Sequence, residues 1–314
     1  QTLQFHLDRR MSLIVITSYY NPEHYRSRFE NFGRFVAGLE SSGIRWMVGE
    51  LAFGEDDFEL PDHPSIVRMR GGDVMWQKER ILNLLLDQLP SDAKYVAWMD
   101  CDLLFENPDW ARETERNLKS DAVVQLFDYV VRLPRGHASY RGEGEGWEGI
   151  GSIHRRSPNV LLGGDFAAHG HTGFAWAAHR SILEKVRLYD ACIAGSGDHM
   201  MAHAFYGDWH SACVDRILCR NSFHVSHFER WCRAVYPLVR AKVGFTRGAI
   251  YHLWHGETTD RRYVLRNREL AAFGFDPVRD IRVGPEGLWE WTGKKSGLPA
   301  WARSYFKQRK EDAC

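Results

Sequence analysis

Leu13-Ile-Val-Ile-Thr17 is an unbroken apolar run rich in β-branched residues, the pattern of a strand covered on both faces. The period then changes. Asn21-Pro22 supplies an N-cap and a first-turn proline, and Tyr25, Phe29, Phe32, Val36 and Leu39 follow at three- and four-residue spacing, which predicts a helix that Gly43 ends. Residues 44–48 and 65–69 read as the next strands. Residues 76–89 read as a helix with an Ile81, Leu82, Leu85, Leu89 stripe, and residues 94–99 as a buried strand. Strands alternating with helices over residues 12–105 predict a mostly parallel sheet of nucleotide-binding character.

A further strand at 122–127 precedes a stretch, 132–159, in which Gly, Arg and Glu displace any apolar period. Such a length inside a compact domain reads as a lid, a binding loop or disorder. Trp147 within it suits either stacking on a sugar ring or anchoring the loop to the core. Order returns over 172–206, with Thr172-Gly-Phe-Ala-Trp-Ala, a helix carrying Ile182, Leu183 and Val186, and then Gly195-Ser-Gly-Asp198 leading into another helix. Elements continue to Tyr251-His-Leu-Trp-His-Gly256. After Gly284 the chain becomes rich in Trp and Lys, and Trp301, Tyr305 and Phe306 read as packing on the domain in preference to contacting a partner. The expected organisation is one domain over 11–284, its halves 11–130 and 160–284 facing each other across a cleft, with a C-terminal tail at 285–314.

Composition narrows the class. The 314 residues are 44% hydrophobic, enough for a substantial core, and 41 basic residues balance 41 acidic ones, so no global field favours nucleic acid or an anionic membrane. Cys101, Cys192, Cys213, Cys219, Cys232 and Cys314 include no CxxC pair or other zinc spacing and read as reduced thiols. No apolar run of about 18 residues and no signal-type h-region is present, so no transmembrane or secretory segment is expected and the expected compartment is cytoplasmic. The first ten residues, before Met11, read as an extension outside the fold.

The candidate chemistry lies where charge interrupts apolar pattern. Asp100-Cys101-Asp102 ends the buried strand at 94–99 and precedes Leu103-Leu-Phe105. A solvated turn is the ordinary meaning of Asp-x-Asp, but carboxylates inside an apolar run cost several kcal/mol unless a cation or hydrogen bonds compensate, and Mg²⁺ or Mn²⁺ would do so. His252-Leu-Trp-His255 adds imidazoles, which suit Mn²⁺ better than Mg²⁺. His199 and His203 have helical i, i+4 spacing but lack the glutamate of the zinc-hydrolase motif. Asp198, at the start of a helix, reads as an N-cap or as a base for an attacking hydroxyl. Lys78 and Arg80, near another helix start, suit either a phosphate or solvent.

In order and spacing these motifs resemble the GT-A glycosyltransferases, especially the metal-dependent beta-1,4-galactosyltransferase-like branch, with looser similarity to the large inverting family two that includes chondroitin-type polymerases. The resemblance spans about residues 12 to 260. Trp76-Gln-Lys-Glu-Arg-Ile-Leu-Asn83 resembles a segment preceding that branch's Asp-x-Asp, which implies that Lys78 contacts the donor diphosphate. Asp102 is implied as a metal ligand, and Asp100 as a ligand lying nearer the donor sugar and ribose. Gly195-Ser-Gly-Asp198 resembles a Gly-Gly-Glu-Asp segment, implying Asp198 as base, with Gly197 where the branch has glutamate. His252-Leu-Trp-His255 resembles Met-x-x-His, implying both histidines as metal ligands. Thr17 and Ser18 fall where the family holds the nucleotide, Glu50 where an acidic residue meets base or ribose, and Asp73 offers an alternative for that role.

The resemblance implies a GT-A type α/β fold with a single Rossmann-like, mostly parallel sheet flanked by helices. It also implies an enzyme that moves a sugar from a nucleotide diphosphate donor, UDP-linked by expectation, to a hydroxyl acceptor with inversion and Mn²⁺ or Mg²⁺ as cofactor. Glycan, metabolite, protein and modified nucleic acid are all open as acceptors. The rivals are a sugar nucleotidyltransferase, against which Ser18-Tyr-Tyr-Asn-Pro22 counts because it is no Gly-rich phosphate loop, and a non-catalytic nucleotide-sugar-binding module.

Overall fold

The computed structural model describes residues 11–158 and 166–312, so the first ten residues, the start of the 160–284 half and Cys314 lie outside the described residues. In chain order the strands are β1 (Leu13–Tyr20), β2 (Trp46–Ala52), β3 (Ile66–Arg70), β4 (Tyr95–Met99), β5 (Leu103–Phe105), β6 (Val123–Gln125) and β7 (Tyr129–Arg132). They continue with β8 (Glu145–Glu148), β9 (Ala175–His179), β10 (Val243–Phe245), β11 (Ala249–His252), β12 (Ile281–Val283) and β13 (Trp289–Trp291).

Seven strands form one twisted sheet in the order β10-β6-β9-β4-β1-β2-β3. The pairs β1–β2, β1–β4, β2–β3 and β6–β10 are parallel, and β9 alone runs against its neighbours. This is the α/β class with a mostly parallel sheet that the alternating pattern predicted. β1 is central and buried along its whole length, which explains its unbroken apolar run. Its alternate residues feed two cores. Ile14 and Ile16 pack with Ile81, Leu82 and Leu85 of helix Lys78–Leu86, while Leu13 and Val15 pack with Phe32, Phe35 and Leu39 of helix Arg26–Ser41. Among the described residues no helix is long and apolar enough to cross a membrane.

Two local expectations are corrected. The first helix begins at Arg26, not at Pro22, because the Asn21 side chain closes a turn instead of capping a helix: its Oδ1 accepts from Tyr25 N at 2.9 Å and its Nδ2 donates to Tyr25 O at 3.0 Å. Starting later, the helix leaves Phe29 45% exposed and buries Phe35 in its place. Residues 132–158 are only in part a loop: 133–144 are irregular, but β8 pairs antiparallel with β7, and helix Ile150–Arg156 follows. Trp147 lies on β8 with the Arg132 guanidinium 4.9 Å from its ring, so in this structure it anchors the hairpin.

A smaller sheet, β5-β11-β7-β8, decides where the chemistry meets. β5 follows Asp102 directly and pairs antiparallel with β11 so that Leu103 faces His252. Leu253 N also donates to Asp102 O at 2.9 Å. The chain beyond 284 packs back on the domain: β13 pairs with β12, and helix Gly297–Gln308 sets Phe306 against Tyr20 and Trp76.

Candidate active site

A cleft of about 330 Å³ opens beyond the carboxyl ends of β1 and β4 and is lined by Ser18, Lys78, Asp100, Asp102, Asp198, His252 and His255. This is where parallel α/β sheets place ligands, since strand ends and the helices that follow them converge there. Four other candidates lie elsewhere. Thr17 is buried in the sheet, its hydroxyl donating to Met99 O at 2.7 Å. Glu50 accepts from Glu59 N and Leu60 N at 2.6 and 2.8 Å and so fixes a loop. Asp73 accepts from Trp291 N at 2.7 Å, and Arg80 pairs with Asp190 at 3.2 Å beneath Trp289, so both tie the C-terminal hairpin to the domain.

Lys78 sits at the start of its helix, nearly buried, with Nζ 2.6 Å from Asp100 Oδ1 and 2.7 Å from Asp198 Oδ2. Burial opposes its charge, but the two carboxylates win and hold Lys78 well above the usual lysine range. Asp198 lies in the first turn of helix Gly197–Tyr206, whose N-cap position is held by Ser196. The cap interpretation therefore falls away, and the carboxylate faces the cleft with Lys78 orienting it.

Asp102 belongs to a second group. Its Oδ2 lies 2.9 Å from His255 Nε2 and its Oδ1 3.7 Å from His252 Nε2. The three side chains offer donor atoms all within 4.8 Å of one another. Burial raises the Asp102 carboxyl, but the surrounding His252, His255 and Arg261 outweigh it and keep the group ionised, well below the usual carboxylate range. Burial pushes His252 well below the usual histidine range, leaving a neutral imidazole with a lone pair to give. Asp102 Oδ1 is buried without a hydrogen-bond partner, an expensive state that a cation at this point would relieve. One carboxylate and two imidazoles thus fit a divalent transition metal. Behind them Glu311 Oε1 stands 3.2 Å from His255 Nδ1, within ion-pair reach though off the line of a hydrogen bond, where a supporting carboxylate would orient the ligand.

Sequence reasoning missed most of the cleft's cations. Seven cationic side chains line it against four carboxyl groups, in a chain with no net charge. Arg28 and Arg309 are matched by the buried Glu311, at 3.0 and 2.5 Å. Arg132, Arg261 and Arg266 have no carboxylate partner among the described residues, and the Nε of each is buried without a hydrogen bond. They crowd the partly exposed Tyr263: desolvation would raise its phenol, but the three guanidiniums bring it down to about 8. Guanidiniums converging on one point, Arg261 and Arg266 buried and Arg132 half-buried, are suited to hold an anion. The Arg261-Arg262-Tyr263-Val-Leu-Arg266 run close behind His255 was the signal available.

Glu79 was missed as well. It is buried beside Lys78 and Asp198, and a Cβ at Gly197 would meet its Oε1 at 2.5 Å. The room that a side chain at 197 would need is therefore filled from helix Lys78–Leu86 by another carboxyl. Burial, opposed by Lys78 and reinforced by Asp198, raises Glu79 to about 8. The folded chain then holds a proton that the unfolded chain releases near pH 4.5, so stability falls as pH rises from about 4.5 through 8. Glu79→Gln should flatten that fall, seen as a smaller drop in Tm between pH 6 and pH 9 than in the parent; an equal drop would remove Glu79 as its cause.

No family model and no curated protein matches this chain. Solved structures do. The catalytic domain of Drosophila beta1,4-galactosyltransferase 7 in complex with xylobiose is similar at 11% identity and a TM-score of 0.32, over 60% of this chain and 58% of that one. The chain thus spans less than two thirds of that relative's length. A Bacillus anthracis glucose-1-phosphate thymidylyltransferase described as putative aligns at 10% identity and 0.35, over 88% and 98%. Mouse xyloside xylosyltransferase 1 aligns at 9% and 0.26, over 76% and 96%. Glycosyltransferases recur among the neighbours, but likeness this distant assigns no activity, and that has to come from the chemistry of the cleft.

Proposed function

We propose that this chain is a metal-dependent glycosyltransferase that moves a sugar from a UDP-linked donor to a hydroxyl acceptor with inversion at the anomeric carbon. The observation that carries it is one cleft holding a three-donor metal group, an arginine cluster unmatched among the described residues and, beside Lys78, the Asp198 carboxylate. Asp102, His252 and His255 would hold the cation, and their imidazoles favour Mn²⁺ over Mg²⁺. A divalent ion there supplies Lewis-acid neutralisation of a leaving diphosphate. Arg132, Arg261 and Arg266 bind the diphosphate oxygens and stabilise the charge that grows as the bond to the anomeric carbon breaks. Asp198 takes the proton of the acceptor hydroxyl while its oxygen forms the new bond from the opposite face. Asp100, fixed by Lys78, hydrogen-bonds the donor sugar, and Glu79, neutral below about pH 8, offers a hydroxyl to the acceptor side.

Release of UDP from UDP-sugars with Mn²⁺, with product stereochemistry followed by NMR, tests this. Pyrophosphate formed from UTP and a sugar phosphate would mark a nucleotidyltransferase instead, and tight UDP-sugar binding with no turnover on any acceptor a binding module. Arg266→Gln tests the anion site apart from the metal group, which Arg261 touches through His255 Nε2 at 3.0 Å. Losing one charge-assisted hydrogen bond costs about 1.5–3 kcal/mol, so UDP should bind roughly 10- to 150-fold more weakly by calorimetry. Unchanged affinity would place the diphosphate elsewhere.

A further inference from the structure

His199 and His203, set aside for want of a motif, lie on one face of helix Gly197–Tyr206 with rings 4.8 Å apart. The fold brings two distant residues to them. His169 and Cys213 complete a group whose donor atoms all lie within 4.8 Å of one another. His169 and His203 are fully buried and Cys213 is 4% exposed, at the edge of the cleft but apart from the Asp102 group.

The hydrogen bonds define which atoms face inward. His169 Nδ1 lies 2.7 Å from Gly170 O, which can only accept, so Nδ1 carries the proton and Nε2 presents a lone pair. That lone pair points at Cys213 Sγ, 3.3 Å away. His203 Nδ1 is held by Ser211 Oγ at 3.1 Å and lies 3.6 Å from Asp208 Oδ2, while its Nε2 is buried with no hydrogen-bond partner. Each of these two imidazoles therefore has an outer partner and turns its other nitrogen toward the group, the arrangement by which proteins orient metal-ligating histidines.

We propose that His169, His199, His203 and Cys213 form a structural zinc site, independent of the sugar-transfer reading. Three imidazoles and a thiolate, with no carboxylate joining them among the described residues, disfavour Mg²⁺ and Ca²⁺ and select zinc, and four protein ligands leave no open position for catalysis. Zinc–donor bonds of about 2.0–2.3 Å set tetrahedral donor separations near 3.3–3.7 Å, so the Sγ–Nε2 pair is already at bonding separation and the remaining donors close in slightly. The ion would tie helix Phe166–His169 and helix Ala212–Leu218 to the first turn that carries Asp198, fixing the proposed base from behind.

The test is metal content of the full chain purified from zinc-supplemented medium and dialysed, measured by mass spectrometry, together with the absorption of the cobalt-substituted protein. The parent and Asp102→Asn should each hold roughly one zinc per chain, Cys213→Ala and His203→Ala should lose it, and cobalt in the parent should give a thiolate-to-cobalt charge-transfer band absent from Cys213→Ala. A zinc-free parent, variants that keep zinc, or zinc lost from Asp102→Asn but kept by Cys213→Ala would each overturn the proposal. Should the variants fail to fold, the parent decides alone, because a folded, cobalt-loaded chain without the thiolate band has no such site.

Discussion

Asp198→Asn should lower kcat for sugar transfer by about 10²- to 10⁴-fold while UDP affinity stays within a factor of two or so, the range expected when a general base is removed. The amide is nearly isosteric, the helix start does not depend on a side-chain cap, and the arginines proposed to hold the diphosphate are not touched by the substitution. The change thus removes basicity with little else. Lys78 keeps Asp100 at 2.6 Å and so is not stranded as an unpaired buried charge. Initial rates over a donor series, with UDP binding measured by calorimetry, read the two effects apart. Equal turnover by parent and variant would sink the assignment of the base, and lost UDP binding would show that Asp198 supports the donor pocket instead.

His255→Ala should weaken Mn²⁺ binding by more than about 100-fold, beyond the 10- to 100-fold typical of an outer-sphere partner, and turnover should fall with it at sub-millimolar metal. The imidazole contacts Asp102 on one side and is backed by Glu311 on the other, so its loss removes a donor and leaves two carboxylates less compensated. Manganese titration followed by electron paramagnetic resonance reads the affinity directly. Arg80→Ala is the control, because Arg80 lies outside the cleft, against Asp190 and Trp289. If His255→Ala binds manganese as the parent does, the metal group is not Asp102, His252 and His255.

Much of the site was legible because its parts are short and local. An apolar strand that ends in two aspartates, a helix that starts with Lys78 and a Gly-Ser-Gly turn that presents Asp198 each follow from a few adjacent residues. The first helix was misplaced because Asn21 can cap either a helix or a turn, and Oδ1 accepting from Tyr25 N closes the turn. Glu50, Asp73 and Arg80 were single charged residues at strand or helix ends, where a tertiary hydrogen bond is as good a destination as a ligand. The arginine cluster escaped notice because Arg132 lies more than a hundred residues from Arg261 and Arg266. Glu79 escaped because nothing in the sequence places its carboxyl against a glycine far along the chain.

The sequence by itself determined the periods: which segments bury both faces, which bury one, and where charge breaks into apolar pattern. Those are local consequences of hydrophobic burial at a spacing of two or 3.6 residues. Only the tertiary structure decided the meetings. The antiparallel register of β5 on β11 sets Asp102 beside His252, the returning C-terminal segment puts Glu311 behind His255, and the convergence of three helices gathers His169, His199, His203 and Cys213. Register and helix packing depend on every contact across an interface at once, so no stretch of chain read alone contains them.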